Sequence, residues 1–278
     1  MKRAIKPTVT AGVFLIFTML PAVSLQNNSA PKPPPLTVIG ESEVIARSAL
    51  AVDLLTGEIL FQKNIYESLP LASLSKIISS LVIVEHLNLD EYVEVTKKAV
   101  ETEEPSTLRV GEHLKIEDLL AMAMGESSND AMMALVEHTG DEKWFLELMR
   151  QKAPSMVFKN PTGLDIKPTQ TEFGSNYGSA TALAQLIKNN LDSPIWQFGE
   201  KNEVISKEGI AHKIKHTNIL RKELSGIYGA KTGFTDSAGG NLVLIVERPI
   251  GKPKAIIILG STLEERFEEA RKIVTLLK

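Results

Sequence analysis

The chain has no cysteine among its 278 residues. That absence excludes a disulfide framework, a thiolate metal site and a cysteine nucleophile, so covalent catalysis here has to act through a hydroxyl oxygen. Histidine is scarce too, at five residues. His86, His113 and His138 are scattered, and no Ser-His-Asp pattern can be built around them. His212 and His216 have a spacing used by metal ligands on helices, but their surroundings read as strand and no acidic partner is close in sequence. They are read as neutral, exposed side chains, and no metal or other cofactor is assigned. Excess charge is lacking as well. Thirty-one Lys and Arg (31) stand against 34 Asp and Glu, giving a net charge of -3 and a pI near 6.0. With no basic field to hold it, nucleic acid is set aside as a partner.

Long apolar runs are also missing. The stretch from Ala11 to Leu20 is short for a membrane span of about 20 residues. Lys2, Arg3 and Lys6 precede it, and Pro21, Ala22 and Ser24 follow. Residues 1–24 therefore read as an export signal or an N-terminal anchor, with cleavage or shallow anchoring favoured. The remainder is expected outside the cytoplasm, secreted or held at the membrane by its N-terminus. Residues 25–39 carry Pro31, Pro33, Pro34 and Pro35, an extended linker that cannot form a core.

What remains, 40–278, is enough for one substantial core at 43% hydrophobic content. Ser48–Asp53 and Glu58–Gln62 read as a hairpin turning near Gly57, and a helical pattern runs from Leu74 to Leu87 with Ser73 at its first turn. Further helices are predicted over 116–124, 130–138, 142–152 and 180–190. Strands return over 203–206, 211–215, 228–232, 241–247 and 254–259. The closing helix, 263–277, has an apolar stripe of Leu263, Phe267, Ala270, Val274 and Leu277, suited to packing on a sheet. Strands at both ends with helices between them imply an α+β fold: a mainly antiparallel sheet flanked by helices, with a helical lobe inserted at about 87–200.

Three short strings carry chemistry. Ser73 and Lys76 are three residues apart on a helix, so the amine reaches the hydroxyl. A serine at a helix start also has free backbone N–H groups for a developing negative charge. Acting as base requires a neutral Lys76, which desolvation and a second cation, Lys231, would favour. Ser-x-x-Lys alone proves nothing, since it occurs by chance on the order of once in such a chain, and Ser29–Lys32 is such a copy. Ser127-Ser128-Asn129 precedes a helix. Ser128 or Asn129 alone reads as an N-cap, but beside the first motif Ser127 suits a proton relay to a leaving amine, and Asn129 suits a hold on a substrate amide or on Lys76. Thr-Gly occurs four times, Lys-Thr-Gly only at 231–233. Lys231 and Thr232 suit a carboxylate, Gly233 clears a strand edge for a substrate backbone, and the Phe234 N–H completes an oxyanion hole with that of Ser73. The conjunction points to acyl transfer through a serine ester.

On these strings, with Asn160-Pro161-Thr162-Gly163-Leu164-Asp165 and Gly229–Thr235, the chain from about Ile45 resembles the serine D-alanyl-D-alanine carboxypeptidases, the low-molecular-mass penicillin-binding proteins of the DD-peptidase/β-lactamase superfamily. The resemblance implies Ser73, Lys76 and Ser127 as catalytic residues, with Asn129, Lys231, Thr232, Gly233 and Phe234 binding substrate. It implies metal-free removal of the terminal D-alanine from a peptidoglycan stem peptide ending in D-Ala-D-Ala, and acylation by β-lactam antibiotics. Many members carry a second, β-rich domain and a C-terminal amphipathic anchor; this chain stops at Lys278, so membrane association is expected at the N-terminus. Ala180-Thr181-Ala182 lacks an acidic residue that the family would place there. The alternatives are a serine β-lactamase, disfavoured because no Glu-x-x-Leu-Asn string is present, and a catalytically silent wall- or β-lactam-binding protein.

Overall fold

Five strands drawn from the two ends of the chain form the central sheet of the computed structural model. The structure describes residues 40, 43–102, 106–166 and 174–277, so the signal and linker expected over 1–39 lie outside the described residues. In chain order the strands are β1 (Ser48–Asp53), β2 (Ile59–Lys63), β3 (Leu69–Pro70), β4 (Tyr92–Glu94), β5 (His113–Lys115), β6 (Tyr177–Gly178), β7 (Glu203–Ile205), β8 (Ala211–Lys213), β9 (Ile227–Thr235), β10 (Gly239–Glu247) and β11 (Pro253–Ser261). The large sheet runs β2-β1-β11-β10-β9 and is antiparallel throughout. The β1–β2 turn closes at Gly57, whose φ of 79° favours glycine, while Asp53 Oδ1 accepts from the Leu55 and Thr56 N–H groups.

Side chains alternate across these strands as the pleat requires. Ala49, Ala51, Leu242, Leu244, Val246, Ile256 and Ile258 point to one face, where α8 (Glu265–Leu276) lays down Phe267, Ala270, Ile273 and Val274. The sheet-packing stripe is thus found in place, except that Leu263 precedes the helix and is exposed. Leu50, Val52, Val243, Ile245, Ala255, Ile257 and Leu259 point the other way, into a larger core shared with the remaining helices. Those helices are α1 (Ser75–His86), α2 (Lys97–Val100), α3 (Ile116–Gly125), α4 (Asn129–His138), α5 (Glu142–Lys152), α6 (Ala180–Asn189) and α7 (Ile195–Phe198). All but α1 fall between residues 87 and 200, where a helical lobe is expected, yet α6 packs directly on β1 and β11. Its first turn, lacking the acidic residue, is capped by Ser179 Oγ, which accepts from the Ala182 N–H at 3.2 Å. The Thr181 hydroxyl adds a bond to Ile65 O.

α1 is the pivot. It is buried on almost every side, which suits its run of Ile77, Ile78, Leu81, Val82 and Ile83. Its serines are small enough to sit in that core, and two of them find carbonyls there: Ser75 Oγ donates to Ala72 O at 2.8 Å, and Ser79 Oγ reaches across to Pro161 O at 2.7 Å.

Candidate active site

The chain enters α1 through a tight 3-10 turn, Ala72–Leu74, which places Ser73 just ahead of the helix proper. Ala72 is left-handed, with φ of 48°, a conformation that costs a non-glycine residue of order 1–3 kcal/mol and needs outside support. The Asn160–Leu164 loop supplies it. Gly163 lies so close beneath the turn that a Cβ there would fall 1.9 Å from Ala72 O. Asn160 Oδ1 gathers the Thr162 and Gly163 N–H groups, and its Nδ2 donates to Leu164 O. Asn176, fully buried, joins loop to turn: its Nδ2 donates to Ser75 Oγ and Asn160 O, its Oδ1 accepts from the Lys159 N–H, and its carbonyl accepts from the Leu71 N–H.

Lys76, fully buried on the first turn of α1, has its Nζ 3.1 Å from Ser73 Oγ, 2.6 Å from Asn129 Oδ1 and 2.9 Å from Thr162 O. Asn129 faces Lys76 while Ser128 takes the capping work of α4, its Oγ accepting from the Ala131 N–H. Ser127, before the cap, is a second left-handed non-glycine residue, with φ of 69°. The Lys231 amine donates to Ser127 Oγ at 2.8 Å and to Thr232 O at 2.8 Å. Burial, then the charges of Lys76 and Arg266, push the Lys231 amine well below its usual value. Each lysine therefore sits against one serine hydroxyl in a site where extra positive charge is disfavoured.

These groups converge at β9, an edge strand of the sheet. The missing side chain of Gly233 makes room for the turn that carries Ser73, since a Cβ would lie 3.1 Å from both Leu71 O and Ser73 N. Phe234 holds its ring half out in solvent. The structure thus brings Ser73, Lys76, Ser127, Asn129, Lys231, Thr232 and Gly233 together at β9, with the Phe234 backbone next in line.

Residues 32–260 match the family described as D-alanyl-D-alanine carboxypeptidase. The chain belongs to this family. It is 31% identical over 245 residues to the D-alanyl-D-alanine carboxypeptidase DacF of Bacillus subtilis, an alignment covering 82% of this chain and 61% of that protein. The chain thus spans about three fifths of that relative. A D-alanyl-D-alanine endopeptidase of Pseudomonas aeruginosa is 28% identical over 246 residues, 82% of this chain and 76% of its own length. Among solved structures, penicillin-binding protein D2 of Listeria monocytogenes in its cefotaxime-bound form superposes with a TM-score of 0.70 at 25% identity, covering 84% of this chain and 97% of that one. The mixed fold of helices on an antiparallel sheet is the fold of these peptidases.

Site residues not singled out from the sequence are joined by backbone or by distance. Thr162 reaches Lys76 through its carbonyl, a group every residue carries. Thr217 stands 2.5 Å from Thr232, hydroxyl to hydroxyl. The expectation for the two late histidines needs correction. His212 is buried and its Nε2 lies 2.5 Å from Glu112 Oε1, a partner 100 residues away. His216 is half-buried, with Nε2 shielded from solvent, and burial lowers its pKa. Among the described residues no group of three or more acidic or histidine side chains could hold a metal.

Proposed function

We propose that this family member is a serine DD-carboxypeptidase that removes the terminal D-alanine from peptidoglycan stem peptides and is acylated on Ser73 by β-lactams. The observation that carries this is the Lys76 amine set between Ser73 and two other oxygens. A neutral amine gives its two N–H groups to Asn129 and Thr162 and turns its lone pair to the Ser73 hydroxyl, the arrangement of a general base. Ser73 Oγ attacks the carbonyl of the penultimate D-alanine as Lys76 takes its proton. The carbonyl electron pair moves onto oxygen, which receives the Ser73 and Phe234 N–H groups. Collapse breaks the C–N bond, and Ser127 passes a proton to the departing amine, drawing on its bond to Lys231. Thr232, Thr217 and Lys231 hold the terminal carboxylate. Water then takes the amine's place and the same groups run the step in reverse.

β9 presents its free edge to an extended peptide, which fits a strand-like substrate. Endopeptidase action on a peptide cross-link is a second reading, favoured by the higher share of the Pseudomonas endopeptidase that the chain covers. The enzyme acts on the outer side of the membrane, with the N-terminal segment either removed or holding it there. Among the described residues no helix is long and apolar enough to span a membrane.

The test is a paired assay on one sample lacking residues 1–24: release of D-alanine from a D-Ala-D-Ala peptide, and turnover of penicillin. D-Alanine release with slow penicillin turnover is expected. Rapid penicillin hydrolysis without D-alanine release would make it a β-lactamase, and inactivity in both assays by folded protein a binding protein.

A further inference from the structure

The Gly233–Phe234 peptide is gripped from behind. Arg266, in the first turn of α8, is only 5% exposed, and its Nη1 donates to Gly233 O at 2.6 Å and to Asn241 O at 3.3 Å. The Phe267 ring lies 4.7 Å from its guanidinium carbon. Its Nε has no partner, and burial draws its pKa down to about 10, so it remains charged at neutrality. A buried cation answered by carbonyls instead of a carboxylate is costly, and packing alone gives no reason to keep it.

The peptide bond supplies one. A trans peptide is planar, with its C=O and N–H directed oppositely. Holding Gly233 O on the β10 side turns the Phe234 N–H to the free side of β9, where the nucleophile turn sits close against Gly233. A positive charge on the carbonyl end also polarises the peptide and strengthens its N–H as a donor. Asn241, paired with Gly233 in the ladder, extends the brace: its Nδ2 donates to Pro70 O at 2.9 Å, at the entry to the nucleophile turn, and its Oδ1 accepts from the Gly260 N–H.

We propose that Arg266 is a positioning residue of the oxyanion hole, holding and polarising the Gly233–Phe234 peptide so that the Phe234 N–H meets the oxygen that turns negative when Ser73 attacks. This rests on Ser73 being the nucleophile. Arg266→Met keeps the length and removes charge and donors. It is compared with wild type for acylation by a penicillin, under conditions that separate pre-covalent binding from the acylation rate constant, and for thermal melting. The ester carbonyl of the acyl-enzyme, labelled with carbon-13, is followed by infrared difference spectroscopy.

Because the donor remains and only its aim and strength change, acylation should slow about 10- to 100-fold, below the loss seen when a whole oxyanion donor is removed. Pre-covalent binding should change little, and the ester carbonyl band should move to higher frequency. A purely structural role would lower melting without moving the band, so an unshifted band in folded Arg266→Met overturns the proposal. Should that variant not fold, Arg266→Gln carries the same readings, with a smaller upward shift expected and an unshifted band again overturning it. Wild type that takes up no penicillin removes the Ser73 reading instead, a result distinct from either.

Discussion

The two faces of the central sheet follow opposite rules. Under α8 the contact is largely aliphatic, and apart from Arg266 its buried charge is met by close partners: Glu269 accepts from Ser261 Oγ and from the Ala46 N–H. The helix-facing side has the same aliphatic centre, but near β9 it buries Lys76, Lys231, Asn129 and Asn176 and holds Ala72 and Ser127 in strained conformations. Buried amines and left-handed backbone both oppose folding. One face therefore supplies stability and the other consumes part of it to keep two lysines desolvated beside two serines.

The sharpest break of that contrast is on the consuming side. Ser73→Ala removes the oxygen that would form the ester, so fluorescent penicillin labelling should vanish while the melting temperature holds; surviving label would place the ester elsewhere. Next is Lys76→Arg, which stays protonated. Acylation should slow by about 10²–10⁴-fold, the usual worth of a general base, and an unchanged rate in stopped flow would remove Lys76 from that role.

The supplying face should show the converse. Ile273→Ala, at a buried contact of α8 with the sheet, should cost about 2–5 kcal/mol in urea unfolding, a large share of the roughly 5–15 kcal/mol that holds a domain folded. Acylation per folded molecule should not change; if it falls in proportion, the two faces are not separable.

The smallest effect has the opposite sign. Because Lys231 is held below 10.5 in the folded state, the unfolded chain binds more protons between the folded value and 10.5. Stability then rises with pH across that window and is lowest below it. Lys231→Met removes this penalty, so near neutrality the variant should melt above wild type and its stability should vary less as pH rises toward 10.5, while acylation weakens. A variant melting below wild type would show that the Lys231 bonds to Ser127 and Thr232 outweigh its desolvation.

The parts of this site that a sequence displays are those set by local geometry. Ser73 and Lys76 meet because residues three apart share a helix face, and the five sheet strands were readable from apolar runs bounded by turns. Single-turn elements such as α2 and α7 carry too few residues for any period. Thr162 and Asn176 act through backbone atoms or a buried amide, and in sequence each resembles an ordinary loop residue. The partner of His212 lies 100 residues off, beyond any local pattern, which is why an exposed histidine was the natural expectation. Gly233 was read for the substrate's sake, and what crowds its Cβ position is the turn that carries Ser73.

Lys76 takes its oxygens from residues 53 and 86 positions away, and Lys231 meets a serine 104 positions away. Contacts of such span close late, after long loops have been ordered. A partly folded chain accordingly has its serine and lysine on one helix face but not the distant oxygens that bury and hold the amine, and stays inert to an acylating drug. Covalent uptake of a labelled penicillin would then act as a titrant of native molecules: the moles of label bound would count chains that have finished folding, in a sample where total protein counts them all.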